Sequence, residues 1–264
     1  MIAKDYTLGI DIGSTTVKIA ILDPDHKLLF ADYRRHHADI RGTLYELLSE
    51  AMEQLGDHTI HPVITGSGGL TLANYLKVPF VQEVVSVSTA LEEIAPKTDV
   101  AIELGGEDAK IIYFENGNVE QRMNGTCAGG TGAFIDQMAT LLNVPLEELD
   151  DLAKHYEKTY TIASRCGVFA KSDIQPLINQ GAAKEDIALS TFHAVAKQTL
   201  GGLAQGLDII PPVIFEGGPL TFNPTLISVF EQRLGIGGED AIIPESPETI
   251  VARGAALSLQ KLFG

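Results

Sequence analysis

The alternation of apolar and polar positions is the same in two stretches of the chain, residues 9–20 and residues 101–112. Each stretch has an apolar run that ends at an acid, Asp11 or Glu103, then one apolar residue, a glycine-containing turn and a second apolar run with a lysine inside it. Two apolar runs joined by a tight turn predict a β-hairpin. Because the pattern occurs twice with the same spacing, we expect two related domains that face one ligand.

The two turns have the composition of a phosphate-binding loop. Glycine, serine and threonine leave backbone N–H groups accessible to phosphate oxygens, and a nearby carboxylate can hold Mg²⁺ through water. The sequence therefore predicts a nucleotide di- or triphosphate (ATP/ADP) as the ligand, with Asp11 and Glu103 as catalytic acids and Asp11 also binding Mg²⁺ through water. The predicted nucleotide contacts are Gly13, Ser14, Thr15, Thr16 and Lys18 in the first hairpin, Gly105, Gly106, Glu107 and Asp108 in the second, and Lys110 as a further candidate.

The rest of the hydrophobic pattern gives an order of elements that starts again near residue 100. Strands are predicted at 6–12, 16–23, 26–34, 62–65, 100–104, 109–114, 119–122 and from 213. Helices are predicted at 44–55, 71–76, 86–94, 133–142, 145–156, 174–180, 184–207 and from 247. Asn116-Gly117 predicts a two-residue turn. The order predicts one domain over 1–96 and a second over 97–246.

The composition narrows the classes of partner. The 264 residues carry a formal net charge of −16, which disfavours binding to nucleic acid or to an anionic membrane surface. No apolar run reaches the roughly 18 residues of a membrane span, and the N-terminus passes directly into a predicted strand without a signal-peptide core. We therefore expect a cytoplasmic protein without a membrane or nucleic-acid partner.

Two cysteines are too few to stabilise a chain of this length by disulfides, so their surroundings matter more than their number. Cys127 lies in a glycine-rich turn that leads into a predicted helix, and Cys166 lies beside a glycine ahead of another. The positive end of a helix favours thiolate over thiol. The alternative to a reactive thiolate is that each cysteine is an inert, small apolar side chain. Elsewhere, His36 and His37 are expected to lie at a solvated strand end.

Four segments together resemble the superfamily of acetate and sugar kinases, heat-shock chaperones and actin. They are the two hairpins, the strand that ends in Gly217, Gly218 and Pro219, and the small-residue helix at 251–257. The resemblance implies phosphate loops one and two, an adenosine loop that binds the nucleotide, and a connecting helix over about 247–264 that crosses back to the first domain. It implies an α/β fold of two ribonuclease H-like (actin-like ATPase) domains with a nucleotide cleft between them. By the same analogy, the turn at 65–69 lines the hinge of that cleft.

The cysteine segments resemble the Cys-Ala-Ala-Gly-Thr-Gly and Cys-x-Val-Phe-Ala motifs of 2-hydroxyacyl-CoA dehydratase activators in the BadF/BadG/BcrA/BcrD-type ATPase family. This resemblance implies that Cys127 and Cys166 bind one [4Fe–4S] cluster per homodimer, because a cubane cluster takes four thiolates. It also implies transfer of single electrons, at the cost of ATP, from a donor such as ferredoxin or flavodoxin to a partner dehydratase or reductase. The chain departs from the activators in having Glu103 for Asp, Glu107 for Gln, and Cys127-Ala128-Gly129-Gly130 for Cys-Ala-Ala-Gly. The sequence of these motifs is similar to that of the long, multi-domain activase-like proteins.

Two alternatives share the nucleotide loops. A phosphotransferase of the N-acetylglucosamine-type sugar kinase branch needs a carboxylate that acts as base on the acceptor hydroxyl, and it has no use for the two cysteines. An actin-like filament protein would polymerise with nucleotide and would be indifferent to iron. Iron content distinguishes the activator from both.

Overall fold

The computed structural model describes residues 5–56, 58–115, 118–124 and 129–263. The strands are β1 (Tyr6–Ile12), β2 (Thr16–Leu22), β3 (Leu28–Arg35), β4 (Ile60–Thr65), β5 (Val100–Leu104), β6 (Ala109–Glu115), β7 (Asn118–Met123), β8 (Val213–Glu216) and β9 (Ala241–Ile242). The strand predictions are confirmed, with small shifts at their ends. The predicted Asn116-Gly117 turn lies outside the described residues.

The helices are α1 (Ile40–Leu55), α2 (Gly69–Leu76), α3 (Glu83–Ile94), α4 (Gly132–Leu142), α5 (Leu149–Ala153), α6 (Gly167–Asn179), α7 (Lys184–Leu203), α8 (Gly218–Thr221), α9 (Pro224–Leu234) and α10 (Ile250–Phe263). Among the described residues, no helix is both long and apolar enough to cross a bilayer.

The chain divides into two compact units, residues 1–97 with 248–264, and residues 98–247. In unit one the sheet order is β3-β2-β1-β4, with β1 antiparallel to β2 and parallel to β4. In unit two the order is β7-β6-β5-β8-β9, with β5 antiparallel to β6 and parallel to β8. Both units therefore contain an antiparallel meander whose first strand also pairs with a later parallel strand.

The two units differ in how the chain reaches that parallel strand. Between β3 and β4 it passes through α1, whereas between β7 and β8 it passes through α4, α5, α6 and α7. Each sheet has its own apolar core. In unit one Ile10, Ile19 and Leu47 are among the buried side chains, and in unit two the core includes Phe134 and Phe192.

The predicted helix at 145–156 is wrong in extent. A short 3₁₀ turn precedes α5, and the helix ends at Ala153. The reason lies in the neighbouring helix, because the buried Asp186 carboxylate accepts hydrogen bonds of 2.9 and 3.0 Å from the backbone N–H groups of Glu157 and Lys158. These bonds divert the chain from a helical path, and they outweigh its local helix preference.

Other differences have local causes. Helix α6 begins seven residues before the predicted start at 174, and its N-cap residue is Cys166. Helix α7 ends at Leu203 instead of 207, because the chain then takes left-handed backbone angles at Gln205 and Gly206. Helix α9 was not predicted, although Pro at its first turn and Gly235 as its left-handed C-cap are ordinary helix boundary signals.

Close backbone packing joins α10 to the rest of unit one. A Cβ atom on Gly254 would lie 1.8 Å from the Ser86 carbonyl oxygen in α3, and one on Gly9 would lie 1.8 Å from the Ala252 carbonyl oxygen. No side chain fits at such distances, so glycine is required where α10 crosses α3 and β1.

We expect two helix-interior glycines to respond in opposite directions to alanine. Gly254→Ala should lower the free energy of unfolding by roughly 1–3 kcal/mol, because the added methyl overpacks the contact with Ser86. Gly201→Ala should raise it by about 1 kcal/mol, because no atom lies within 4 Å of its Cβ position and alanine is the better helix former. Urea denaturation of both variants measures the difference. Equal effects would contradict the close packing of α10.

Candidate functional site

In unit one the predicted catalytic acid forms an ion pair within its own hairpin. Asp11 on β1 stands opposite Lys18 on β2, and the Lys18 Nζ atom donates to Asp11 Oδ2 at 2.7 Å. The Asp11 side chain is 3 % exposed, so the pair lies in a poorly solvated place. The turn is closed by a 2.9 Å hydrogen bond from the Gly13 N–H to the Thr16 carbonyl, and Ser14 at its tip is exposed.

Unit two repeats this arrangement. Glu103 on β5 stands opposite Lys110 on β6, and the Lys110 Nζ atom donates to Glu103 Oε1 at 2.9 Å. Lys110 also lies 3.1 Å from Asp108 Oδ2. The Gly105 N–H donates to the Asp108 carbonyl at 2.8 Å, and Glu107 at the tip is exposed. Each lysine thus contacts the acid of its own hairpin.

The strand parallel to each hairpin ends at an equivalent place. Thr65 on β4 stands beside Asp11, and Glu216 on β8 stands beside Glu103. The next residue in each case is a glycine with positive φ, +93° at Gly66 and +96° at Gly217. No sequence motif marks Glu216 as a site residue, because its position beside Glu103 follows only from the strand register.

Both glycines permit close backbone approach. A Cβ on Gly66 would lie 2.3 Å from the Ile12 carbonyl oxygen and 2.5 Å from Asp11 Oδ1. A Cβ on Gly217 would lie 2.1 Å from the Leu104 carbonyl oxygen. These two glycines therefore support the ends of the strands that carry Asp11 and Glu103. Gly218 and Pro219, the other predicted adenosine-loop residues, open the short helix α8.

His36 differs from its expected place at a solvated strand end. It is buried, and its Nδ1 atom accepts a hydrogen bond of 3.1 Å from the Ala38 N–H. The proton of a neutral imidazole must then lie on Nε2, which faces the Gly13 carbonyl oxygen at 3.3 Å. His36 also donates its backbone N–H to Thr15 at 3.1 Å, so it holds the first phosphate loop.

Burial raises the pKa of Glu216 well above its usual range. Its side chain is buried, and neither carboxyl oxygen has a hydrogen-bond partner in the described structure. Removal from water is the main cause of the raised pKa; the negative charge of Glu103 raises it further, and Lys110 opposes the effect. Burial therefore shifts Glu216 toward its neutral form in the folded protein relative to the unfolded chain.

The glycine turn of the second hairpin is bonded to a helix. The N–H groups of Gly132 and Ala133, in the first turn of α4, donate to the carbonyls of Gly105 and Gly106 at 2.9 and 2.7 Å. A Cβ on Gly132 would lie 3.1 Å from Pro219 Cγ, so the predicted adenosine loop also reaches this helix end. Two predicted nucleotide-binding segments of unit two thus meet at the start of α4.

The structure describes one of the two cysteines. Cys127 lies outside the described residues, whereas Cys166 is a partly exposed cysteine at the N-cap of α6. A Cβ on Gly129 would lie 2.5 Å from the Arg165 carbonyl oxygen, so the two cysteine segments pack together two residues after the first cysteine and one before the second. Within the described ranges, no three His, Cys, Asp or Glu residues converge on a metal site.

Comparison with known proteins finds relatives along most of the chain. The (R)-2-hydroxyglutaryl-CoA dehydratase activating ATPase of Acidaminococcus fermentans is 31% identical over 235 residues, which are 88% of this chain and 89% of that one. The crystal structure of component A of that organism's dehydratase matches with a TM-score of 0.86 at 29% identity, over 96% of this chain and 97% of that one. The activator of 2-hydroxyisocaproyl-CoA dehydratase from Clostridium difficile, solved with bound ADPNP, matches with a TM-score of 0.85 at 28% identity, over 96% and 93%.

The structural matches establish an α/β fold of the actin-like ATPase type. Residues 8–258 match the sequence pattern of one protein family. This range includes both glycine turns, both cysteines and the end of β8. The chain belongs to the BadF/BadG/BcrA/BcrD ATPase family.

Proposed function

We propose that this protein is an ATP-dependent electron-transfer activator that reduces a partner 2-hydroxyacyl-CoA dehydratase or a related reductase. The observation that carries the proposal is the bonding of α4 to the second phosphate loop, since α4 follows Cys127 in the sequence. A loop of nucleotide-binding composition is then hydrogen-bonded to the helix that follows Cys127 in the sequence. The relatives named as dehydratase activators support the same function.

In the nucleotide part of the proposal, each unit contributes one phosphate loop. Asp11 would hold Mg²⁺ through water, and Glu103 would orient the attacking water. The exposed turn tips at Ser14 and Glu107 would leave backbone N–H groups accessible to phosphate oxygens. The ion pairs with Lys18 and Lys110 fix the direction of both acids, which keeps them oriented before the nucleotide binds.

In the redox part of the proposal, Cys127 and Cys166 supply two thiolates of a [4Fe–4S] cluster, and the same two residues of a second copy supply the others. The contact of Gly129 with Arg165 fits this pairing, because it brings the two cysteine segments of one chain together. Cys166 at the N-terminus of the 13-residue helix α6 is placed where the helix dipole favours a thiolate. When bound, the cluster accepts and donates single electrons, in this proposal from ferredoxin or flavodoxin to the dehydratase.

Coupling between the two parts follows from the bonds at the start of α4. A shift of the Gly105-Gly106 loop between triphosphate and diphosphate states would move the N–H groups that donate to it, and the helix with them. The cysteine segment that precedes α4 would move as well. ATP binding would thereby expose the thiol site to a partner, and hydrolysis would make the transfer directional.

The sugar kinase and filament alternatives lack a use for this connection. Neither a sugar kinase nor a filament protein needs two cysteine segments in backbone contact. Neither function requires hydrogen bonds between a phosphate loop and the helix that follows a cysteine. Iron content and the nucleotide dependence of iron chelation separate the activator from both, whereas Asp11→Asn tests the nucleotide site that all three share.

Protein purified without oxygen should be brown and contain about four iron atoms per dimer. Cys127→Ser and Cys166→Ser should each lose the iron and much of the dimer, because the cluster links two copies covalently. Ser172→Ala, an exposed change in the same helix as Cys166, should keep both. Iron analysis and sedimentation measure the outcome. A colourless wild-type protein after anaerobic reconstitution would overturn the redox part of the proposal.

Asp11→Asn should abolish Mg-ATP hydrolysis, because it removes the carboxylate that holds the metal ion while preserving the side-chain volume. The change also removes an ion-pair partner of Lys18, so thermal denaturation must show that the variant is folded at the assay temperature. Asp25→Asn, an exposed turn carboxylate on the next hairpin, is the matched control and should hydrolyse ATP normally. Full activity of a folded Asp11→Asn protein would exclude the assigned role.

Chelation of iron from the reduced protein should be much faster with ATP or ADP–aluminium fluoride than with ADP. Gly132→Ala should weaken this nucleotide dependence while retaining iron, because a Cβ there comes within 3.3 Å of the Gly105 carbonyl oxygen and the Gly106 Cα atom. Gly201→Ala, which contacts nothing, should behave like the wild type. Equal chelation rates in all nucleotide states would show that the two sites do not communicate.

A further inference from the structure

Glu216 is an acid whose surroundings do not balance a negative charge. It is 1 % exposed, and neither of its carboxyl oxygens has a hydrogen-bond partner in the described structure. An ionised carboxylate in such a place would cost several kcal/mol, whereas a neutral carboxylic acid costs far less. Its presence at the end of β8 therefore requires an explanation that apolar packing does not give.

The register of the sheet supplies a neighbour. Glu216 on β8 stands beside Glu103 on the adjacent parallel strand β5, so both side chains leave the same face of the sheet. Adjacent strands lie about 4.8 Å apart, and two buried carboxyl groups on neighbouring strands cannot both be ionised without a large penalty. Around them, Lys110 donates to Glu103, and Asp108 lies on the other side of Lys110.

Unit one provides the comparison. The residue at the equivalent position is Thr65, which stands beside Asp11 and is neutral at every pH. An uncharged group beside the hairpin acid is therefore compatible with this fold. Unit two has an ionisable residue in that place, beside the longer acid Glu103.

We propose that Glu216 is a positioning residue that carries a proton and donates it in a hydrogen bond to the Glu103 carboxylate. With Lys110 holding Glu103 Oε1, the added donor fixes the orientation of Glu103, and the neutral form of Glu216 keeps a second negative charge away from the bound triphosphate. This inference rests on the proposed function only in its second part, because the proton on Glu216 can be tested without nucleotide.

The pH dependence follows from this assignment. The pKa of Glu216 is raised in the folded protein relative to the unfolded chain, so the folded state binds the extra proton. The associated stability is fully present below the unfolded pKa and is lost as the pH rises through the folded pKa. ATP affinity should fall in the same range, by up to about tenfold per pH unit, because an ionised Glu216 repels the phosphates. The ionisable groups that act on Glu216 from neighbouring elements are Glu103 and Lys110.

Infrared difference spectroscopy of the full chain without nucleotide tests the proton directly. Wild-type protein at neutral pH should show the carbonyl band of a protonated carboxylic acid, and Glu216→Gln should lack it. Glu147→Gln, an exposed glutamate in the same unit, should keep the band. A wild-type spectrum without this band, or a band that survives in Glu216→Gln, would overturn the assignment.

The positioning role is tested by ATP affinity and hydrolysis over a range from mildly acidic to alkaline pH. Glu216→Gln, a neutral isostere that can still donate to Glu103, should bind ATP as the wild type does at low pH and should lose the alkaline decline. Glu216→Thr copies unit one and should also lose the decline, so it serves if Glu216→Gln does not fold. An alkaline decline that is unchanged in the folded variants would exclude the role. A wild type that binds no ATP at any pH would overturn the proposed function instead, and the infrared result would still stand.

Discussion

The hydrogen bonds from the first turn of α4 to the carbonyls of Gly105 and Gly106 are the constraint on which the organisation of unit two depends. They join a turn whose composition suits phosphate to a rigid helix of 11 residues, roughly 16 Å long. A helix transmits displacement because its own hydrogen bonds resist bending. Under the proposed function, a change in the position of this turn would therefore move α4, which follows Gly129 and its contact with Arg165 in the sequence.

Comparison of the two hairpins shows why this connection matters. The Gly13 carbonyl in unit one faces His36 Nε2, whereas the equivalent Gly105 carbonyl in unit two accepts from Gly132 of α4. The first turn is held by His36, through its side chain and its backbone N–H, and the second is held by a helix that follows Cys127 in the sequence. The acid–lysine pairs fix both hairpins alike. The difference lies in what supports each turn, and under the proposed function it makes unit two the half of the protein in which a change at the turn would reach the thiols.

The sequence was sufficient for the hairpins because their signals are local. Strands β1 and β5 have the predicted bounds, since an apolar run that ends at an acid and a glycine turn needs no information from distant residues. The burial of His36 and the pairing of Glu216 with Glu103 depend on strand register, which one sequence does not specify. The helix expected over 145–156 failed for a similar reason, because Asp186, far along the chain, takes the N–H groups of Glu157 and Lys158.

The position of the cysteine segments in the topology explains why the two units differ. Both units place an acid and a glycine turn on the same meander, but the chain between β7 and β8 is much longer than the chain between β3 and β4. Cys166 and the described residues that follow Cys127 lie on this longer crossover. A sheet tolerates variation in its crossovers because the strands and their register do not depend on them, and function is commonly added in such segments. Under the proposed function, the hairpins would therefore keep the turns that bind nucleotide, and the crossover that is bonded to one of these turns would supply the redox chemistry.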